Sequence, residues 1–207
     1  MSHPAKLDPP TPGRVIIMSG PSGAGKSTVV REMLATCPLP LATSISATTR
    51  QPRAGERDGV DYFFLSEKRF AELRTAGAFL ECRQNFGLKH WYGTLKEQVA
   101  AGLKAGKWLI LEIDVLGAMD VLERHSDLDP ILIFIHPGGM EELERRLRER
   151  GTESEETIVA RLETAAKEMR YRSRYHHEII NTTVPQAVAE VCKILQQAKD
   201  LDACSKS

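Results

Sequence analysis

The chain has no excess of charge: among its 207 residues, 28 Lys and Arg balance 28 Asp and Glu. That excludes the global basic field of a sequence-independent nucleic-acid binder and the acid surplus of a solvating tail. Long apolar runs are missing too. Trp108–Leu111 and Ile131–Ile135 are the most apolar stretches, whereas a membrane-spanning helix needs roughly 20 such residues, so no membrane insertion is expected. Cysteine is sparse: Cys37, Cys82, Cys192 and Cys204 form no CxxC pair and have no histidine at metal-ligand spacing. Neither a zinc site nor a disulfide framework is expected, and the thiols read as reduced, in a cytoplasmic protein. No charged-then-apolar leader pattern opens the chain. Four of the 11 prolines fall within the first 12 residues, so 1–13 reads as a flexible tail, and the polar segment 197–207 as a frayed one.

What is present is an ordinary globular composition, 42% hydrophobic and 27% charged, in a length that suits one α/β domain with inserted subdomains. Short β-rich runs occur at Arg14–Ser19, Leu41–Ser46, Trp108–Ile113, Ile131–Ile135 and Glu178–Asn181. Between most of them lie helical patterns, at Lys26–Ala35, Thr94–Gly102, Val115–Arg124, Met140–Arg150 and Val184–Lys199. The capping-box spacing of Thr94-Leu-Lys-Glu97 predicts a helix start there, and Gly151 predicts a C-cap after Arg150. Strands alternating with helices predict βαβ units and a parallel sheet covered on both faces. Two stretches break the alternation. Between Thr48 and Tyr92 lie strand-like pieces at Tyr62–Leu65 and Phe79–Arg83, with one helix over about Ser66–Thr75. Arg145–Arg174 is helical and densely charged with both signs. Both are expected beyond the C-terminal edge of the sheet, where α/β proteins bind ligands.

The strongest single motif is Gly20-Pro-Ser-Gly-Ala-Gly25-Lys26-Ser27, which fits G-x-x-x-x-G-K-[ST] between a predicted strand and a predicted helix. Glycines allow the turn Gly20, Pro21, Ser22, Gly23, Ala24, Gly25 and on to Thr28 to wrap phosphate oxygens at a helix N-terminus, with every residue except Pro21, which has no N–H, offering a backbone donor. Lys26 supplies a charge to the β- and γ-phosphates, and Ser27 a hydroxyl to Mg²⁺. The motif predicts binding of a nucleoside triphosphate. Downstream, Arg50 and Arg53 stand three residues apart in a loop punctuated by Gly and Pro. Guanidinium forks fit phosphate oxygens in a bidentate way, so this pair points to a phosphorylated acceptor.

Ser46-Ala-Thr-Thr-Arg50-Gln-Pro-Arg53-Ala-Gly-Glu56 with Tyr62, downstream of that motif, resembles guanylate kinase. The resemblance continues through Phe79-Leu-Glu81, Trp91-Tyr-Gly-Thr94, Leu111-Glu-Ile-Asp114-Val-x-Gly117, Arg150-Gly-Thr-Glu153 and Asn181, covering about residues 14–196. It implies a P-loop NTPase-type parallel five-stranded core (14–47, 94–144 and 175–196), a small mixed α/β GMP-binding insertion (48–93) and a helical lid (about 145–174). It implies ATP and Mg²⁺, with GMP or dGMP as small-molecule substrate and no nucleic-acid or membrane partner; monomer and homodimer stay equally open. Arg50, Arg53, Tyr62 and Tyr92 would take the GMP phosphate, and Ser46, Glu81 and Thr94 the guanine. Glu112 and Asp114 end an apolar strand with both carboxylates on one side; Asp114 would reach either Mg²⁺ through water or the guanine amine, and a carboxylate paired with Lys26 is the other reading. Arg146, Arg150 and Arg161 fall where the family has lid arginines, and Asn181 falls beside the adenine. The segment between Glu81 and Tyr92 is about two residues longer than is usual in the family.

A carboxylate at Glu81 accepts from both N1–H and the exocyclic amine of guanine, whereas adenine presents an acceptor at N1. That argues against a kinase of ribose bisphosphates, whose acceptor has no base. The intact Gly25-Lys26-Ser27 argues against a peptide-binding module that has lost catalysis. Six cations, Lys26, Arg50, Arg53, Arg146, Arg150 and Arg161, are expected to make one cleft strongly positive, with no general base of strongly shifted pKa.

Overall fold

A computed structural model describes residues 13–84, 90–149 and 154–204. The first elements are β1 (Val15–Ser19), α1 (Lys26–Thr36), β2 (Leu41–Thr43), β3 (Ala47–Thr48) and β4 (Phe63–Phe64). Then come α2 (Glu67–Thr75), β5 (Phe79–Gln84), β6 (Trp91–Leu95), α3 (Lys96–Lys104), β7 (Trp108–Glu112) and α4 (Val115–Arg124). The chain continues through β8 (Ile131–His136), α5 (Met140–Glu149), α6 (Glu155–Met169), β9 (His177–Ile180) and α7 (Val184–Cys204).

The main sheet runs β2-β7-β1-β8-β9 with every neighbouring pair parallel, the expected five-stranded core. Its central strands are apolar up to their last residues, Ser19, Glu112 and His136, because both faces are covered. Alternation then sorts the side chains: Ile16 and Met18 face α1 and α7 with Met33, Val191 and Leu195, while Val15 and Ile17 face α3 and α4 with Val99, Ala118 and Val121. β1 lies at the centre, so the loop after it opens at the middle of the C-terminal edge.

A second, smaller sheet is ordered β4-β3-β6-β5; β3 is parallel to β4, and β6 is antiparallel to both β3 and β5. α2 packs on it through Phe70, whose ring stacks on Phe79 with centroids 4.4 Å apart. This unit spans Ala47–Leu95, slightly wider than the expected 48–93. The run read as one strand over Leu41–Ser46 divides, because the chain leaves the main sheet after Thr43 and enters the small one at Ala47. The helix expected from Thr94 begins instead at Lys96, with no side-chain cap. Thr94 belongs to β6, and its hydroxyl is drawn to a buried carboxylate rather than to the helix end.

The segment 197–207 was expected to fray, yet α7 continues to Cys204. Leu195 is fully buried under the sheet, and Asp202 receives the Arg14 guanidinium at 3.1 Å, which ties the last turn to the start of β1. α5 and α6 share a small core of Leu143, Leu147, Ile158 and Ala165. Among the described residues no helix is long and apolar enough to cross a membrane. Arg150, Gly151, residues 1–12 and the middle of the long segment, 85–89, lie outside the described residues.

Candidate active site

The turn after β1 is a set of left-handed glycines, with φ of 143° at Gly20, 94° at Gly23 and 86° at Gly25. Gly20 is required twice over, since a Cβ there would lie 1.9 Å from the Ile135 carbonyl oxygen of β8. A Gly20→Ala chain is therefore expected to lose about 5–10 °C in Tm and to weaken nucleotide binding, because backbone strain costs roughly 1–3 kcal/mol before the clash is added. Thermal unfolding and an ATP titration check this; no change in either would contradict the close approach. Lys26 folds back over the turn, with Nζ donating to Gly20 O at 2.6 Å and Pro21 O at 3.1 Å.

Asn181, expected beside the nucleotide base, also braces this turn. Its side-chain Nδ2 donates to Ala24 O at 2.8 Å, its backbone N–H donates to His136 O at 2.8 Å, and its carbonyl accepts from Arg146 Nη2 at 2.7 Å. It is only 2% exposed, although it still lines a cavity of about 400 Å³ with Gly23, Gly25, Thr28 and Arg146. Arg161, from α6, reaches the turn from above, with Nη1 donating to Ser22 Oγ at 3.4 Å.

Carboxylates surround Lys26. Ser27 Oγ donates to Glu112 Oε1 at 2.5 Å at the end of β7. Asp114 caps α4, with Oδ1 accepting from the Gly117 N–H at 2.7 Å. Glu168, on α6, accepts from the Ser22 N–H, while its Oε2 is shielded from solvent and has no partner among the described residues. Burial pushes the Glu168 carboxyl up to about 7, helped by Asp114 and opposed by Lys26. Burial likewise lowers the Lys26 ammonium, and Glu112, Glu168 and Asp114 oppose that. The cleft expected to be strongly positive also holds compensating carboxylates at Lys26 and Arg50, since a buried charge is tolerated only when compensated. Arg146 follows the same rule, donating to Glu142 at 2.7 Å.

A second cavity, of about 250 Å³, adjoins the turn through Glu112 and Asp114, which line it together with Ser46, Arg50, Arg53, Tyr62, Glu81, Arg83 and Tyr92. Eight of the nine acceptor-site residues expected from sequence therefore line one cavity, and the ninth, Thr94, joins through Glu81. At one end, both Nη atoms of Arg50 are held by Glu56 at 2.8 and 2.9 Å, and Glu56 also accepts from the Arg53 N–H at 2.7 Å. These bonds hold the Glu56 carboxyl down at about 2 and raise the Arg50 guanidinium further. Arg50 lies over the Tyr62 ring at 5.3 Å, Tyr62 meets Tyr92 edge-on at 6.0 Å, and the Arg50 Nε is buried with no partner among the described residues.

At the other end Glu81 is 8% exposed, and its Oε1 accepts from Thr94 Oγ1 at 2.7 Å. Burial pushes its carboxyl up to about 7; Asp114 and Asp120 add to that, and the Thr94 hydrogen bonds oppose it. Sequence reasoning assigned no role to three residues that shape these sites. Glu56 stood three positions after Arg53 in the quoted motif, which was a usable signal. Arg83, held by Asp120 at 2.7 Å, and Glu168 carried no local signal, because their partners are distant in sequence.

A phosphate cradle opening onto a second cavity that has its own arginine fork and a buried carboxylate defines the class: a P-loop kinase of small phosphorylated acceptors. The family match is specific within that class. Residues 12–198 match the guanylate kinase family, and the chain belongs to it. It is 59% identical over 196 residues to a guanylate kinase of Rhodopirellula baltica, covering 95% of this chain and 93% of the relative. It is 45% identical over 183 residues to a guanylate kinase of Caldanaerobacter subterraneus, covering 88% and 86%. The crystal structure of guanylate kinase from Anaplasma phagocytophilum matches with a TM-score of 0.73 at 29% identity, over 90% of this chain and 86% of that one.

Proposed function

We propose that the chain transfers the γ-phosphoryl of ATP to GMP, or to dGMP, giving ADP and GDP in cytoplasmic purine nucleotide metabolism. One observation supports this most: a single cavity has an arginine fork at one end and the buried Glu81–Thr94 pair at the other. Those are the two chemistries a purine monophosphate presents. Glu56 occupies the Nη edge of Arg50, so the Nε–H is the donor directed to the acceptor phosphate, with Arg53 and the Tyr62 and Tyr92 hydroxyls beside it. Ser46 lines the guanine end, and Glu81 accepts from N1–H and the amine. The small sheet then acts as the GMP-binding insertion, and α5 with α6 as the lid.

On the donor side the P-loop N–H groups and Lys26 hold the ATP phosphates. Lys26 exchanges the Gly20 and Pro21 carbonyls for phosphate oxygens as they arrive. The Ser27 hydroxyl and the Glu112 carboxylate, already joined, are hard oxygen donors and fit Mg²⁺, which keeps few protein ligands when it binds phosphate. A Mg²⁺ held there by Ser27 and Glu112 would supply Lewis-acid stabilisation of the charge on the transferring phosphate. Asp114 has one oxygen committed to α4, which leaves it a role beside Glu112 rather than a direct claim on the metal. Arg146 and Arg161 stand over the turn and add positive charge as the lid closes; Arg150 is assigned the same role by its place in the family pattern.

ADP formation with GMP, and none with ribose 1,5-bisphosphate, tests this reading. Turnover of the bisphosphate would make the acceptor site base-free, and no turnover with any acceptor would leave a binding module. Arg50→Ala is expected to raise KM for GMP about 100-fold with KM for ATP within twofold, because charge-assisted hydrogen bonds are worth about 1.5–3 kcal/mol. Steady-state kinetics in both substrates check it; equal effects on both would assign Arg50 to the fold.

A further inference from the structure

The four cysteines are not equivalent in space. Cys37 closes α1, where its N–H donates to Met33 O at 2.9 Å, and Cys192 lies on α7. They are 155 positions apart in sequence, yet both are half-buried against the same core cluster, beside Met33, Leu39, Val191 and Leu195. α1 packs directly on α7, which brings the two thiols near enough to interact. Cys204 is exposed, and Cys82 belongs to β5 in the other sheet, so neither shares this neighbourhood.

We propose that Cys37 and Cys192 form a reversible thiol–disulfide modification site that staples the helix after the phosphate-binding turn to the C-terminal helix. The oxidant class is a hydroperoxide. With hydrogen peroxide, the Cys37 thiol gives up its proton and the thiolate attacks one peroxide oxygen; the O–O bond breaks, Cys37 sulfenic acid forms, and the departing hydroxide takes the thiol proton as one water. The Cys192 sulfur then attacks the Cys37 sulfur, the S–S bond forms, and hydroxide leaves and takes the Cys192 proton as a second water. Two thiols lose two electrons and one peroxide gains them. Burial pushes the Cys192 thiol up to about 12, with the Cys37 contact adding to it. A thiol held in its neutral form is a poor nucleophile, so the bond forms slowly at neutral pH. The pair lies at the far end of α1, about 16 Å along the helix axis from Lys26 at 1.5 Å per residue, so the staple leaves the active site open.

The native full chain treated with hydrogen peroxide, then alkylated and digested without reductant, tests the site. Free thiols are expected to fall from four to two, with a Cys37–Cys192 cross-linked peptide that dithiothreitol removes. The oxidised chain is expected to gain about 5–15 °C in Tm, since closing a loop this long stabilises by constraining the unfolded chain. Cys37→Ser and Cys192→Ser should each abolish both changes while keeping GMP phosphorylation and the Tm of the reduced protein. Four thiols remaining, cross-links through Cys82 or Cys204 instead, sulfinic acid without a cross-link, or the same Tm gain in either serine variant would each overturn the proposal.

Discussion

Glu81→Gln is expected to lower kcat/KM for GMP by about 10²–10³ while KM for ATP stays within twofold, because a buried hydrogen-bonding site rejects a mismatched partner by the desolvation of what it leaves unpaired. The glutamine amide keeps one acceptor and turns the other into a donor that opposes guanine. Its shape and neutrality suit the buried position, where the Thr94 hydroxyl still has an oxygen to reach. The same residue sets a pH dependence. Its carboxyl is raised to about 7 in the unliganded fold, so it becomes protonated on the acid side of that value. Only the carboxylate accepts from both guanine donors, and KM for GMP is expected to rise about tenfold per pH unit below 7. The effect on folding runs the other way. A raised value means the empty fold is favoured by this group at low pH and loses that contribution as pH rises through about 7. Glu81→Gln should flatten both profiles, and KM for GMP measured from pH 5.5 to 8.5 in the two proteins distinguishes a base-reading carboxylate from a structural one.

Lys26→Ala is expected to lower turnover by about 10³ or more, since the transferring phosphoryl needs positive charge that is already in position. GMP binding should stay within twofold, because the acceptor cavity is lined by other residues. Removing the ammonium also leaves Glu112, Glu168 and Asp114 without the cation that faces them. Glu168 then takes up a proton more readily, and the fold survives the loss. Lys26→Arg is not expected to restore turnover: a planar fork does not reproduce a point charge folded against the Gly20 and Pro21 carbonyls. Titrating GMP calorimetrically alongside single-turnover ADP formation separates the two effects, and weakened GMP binding equal to the loss of turnover would mean a collapsed site.

The parts legible in the sequence were those written in consecutive residues. The phosphate-binding turn is contiguous, and the three central parallel strands, β1, β7 and β8, announce themselves as apolar runs because both their faces are buried. β6 was less legible. Trp91–Leu95 carries a Gly and a Thr in the middle, and the spacing of Thr94 and Glu97 imitates a helix cap. The competing claim on Thr94 came from Glu81, 13 residues away, which only the antiparallel pairing of β5 with β6 brings opposite. The sequence suggests only a donor-side place for Asn181; the bond from its amide nitrogen to Ala24, a contact spanning 157 positions, is written nowhere locally. The compensation of charge in the cleft is illegible for the same reason. Basic residues cluster in motifs that can be read, whereas their compensating carboxylates, such as Glu168 facing Lys26, arrive from distant helices.

The central claim is that a buried carboxylate selects guanine in a phosphoryl acceptor. The most direct measurement is kcat/KM for GMP against AMP under identical ATP and Mg²⁺. Preference for GMP by about 10⁴ or more, the discrimination a hydrogen-bonding site gives, is the expected result. Equal use of AMP would contradict it.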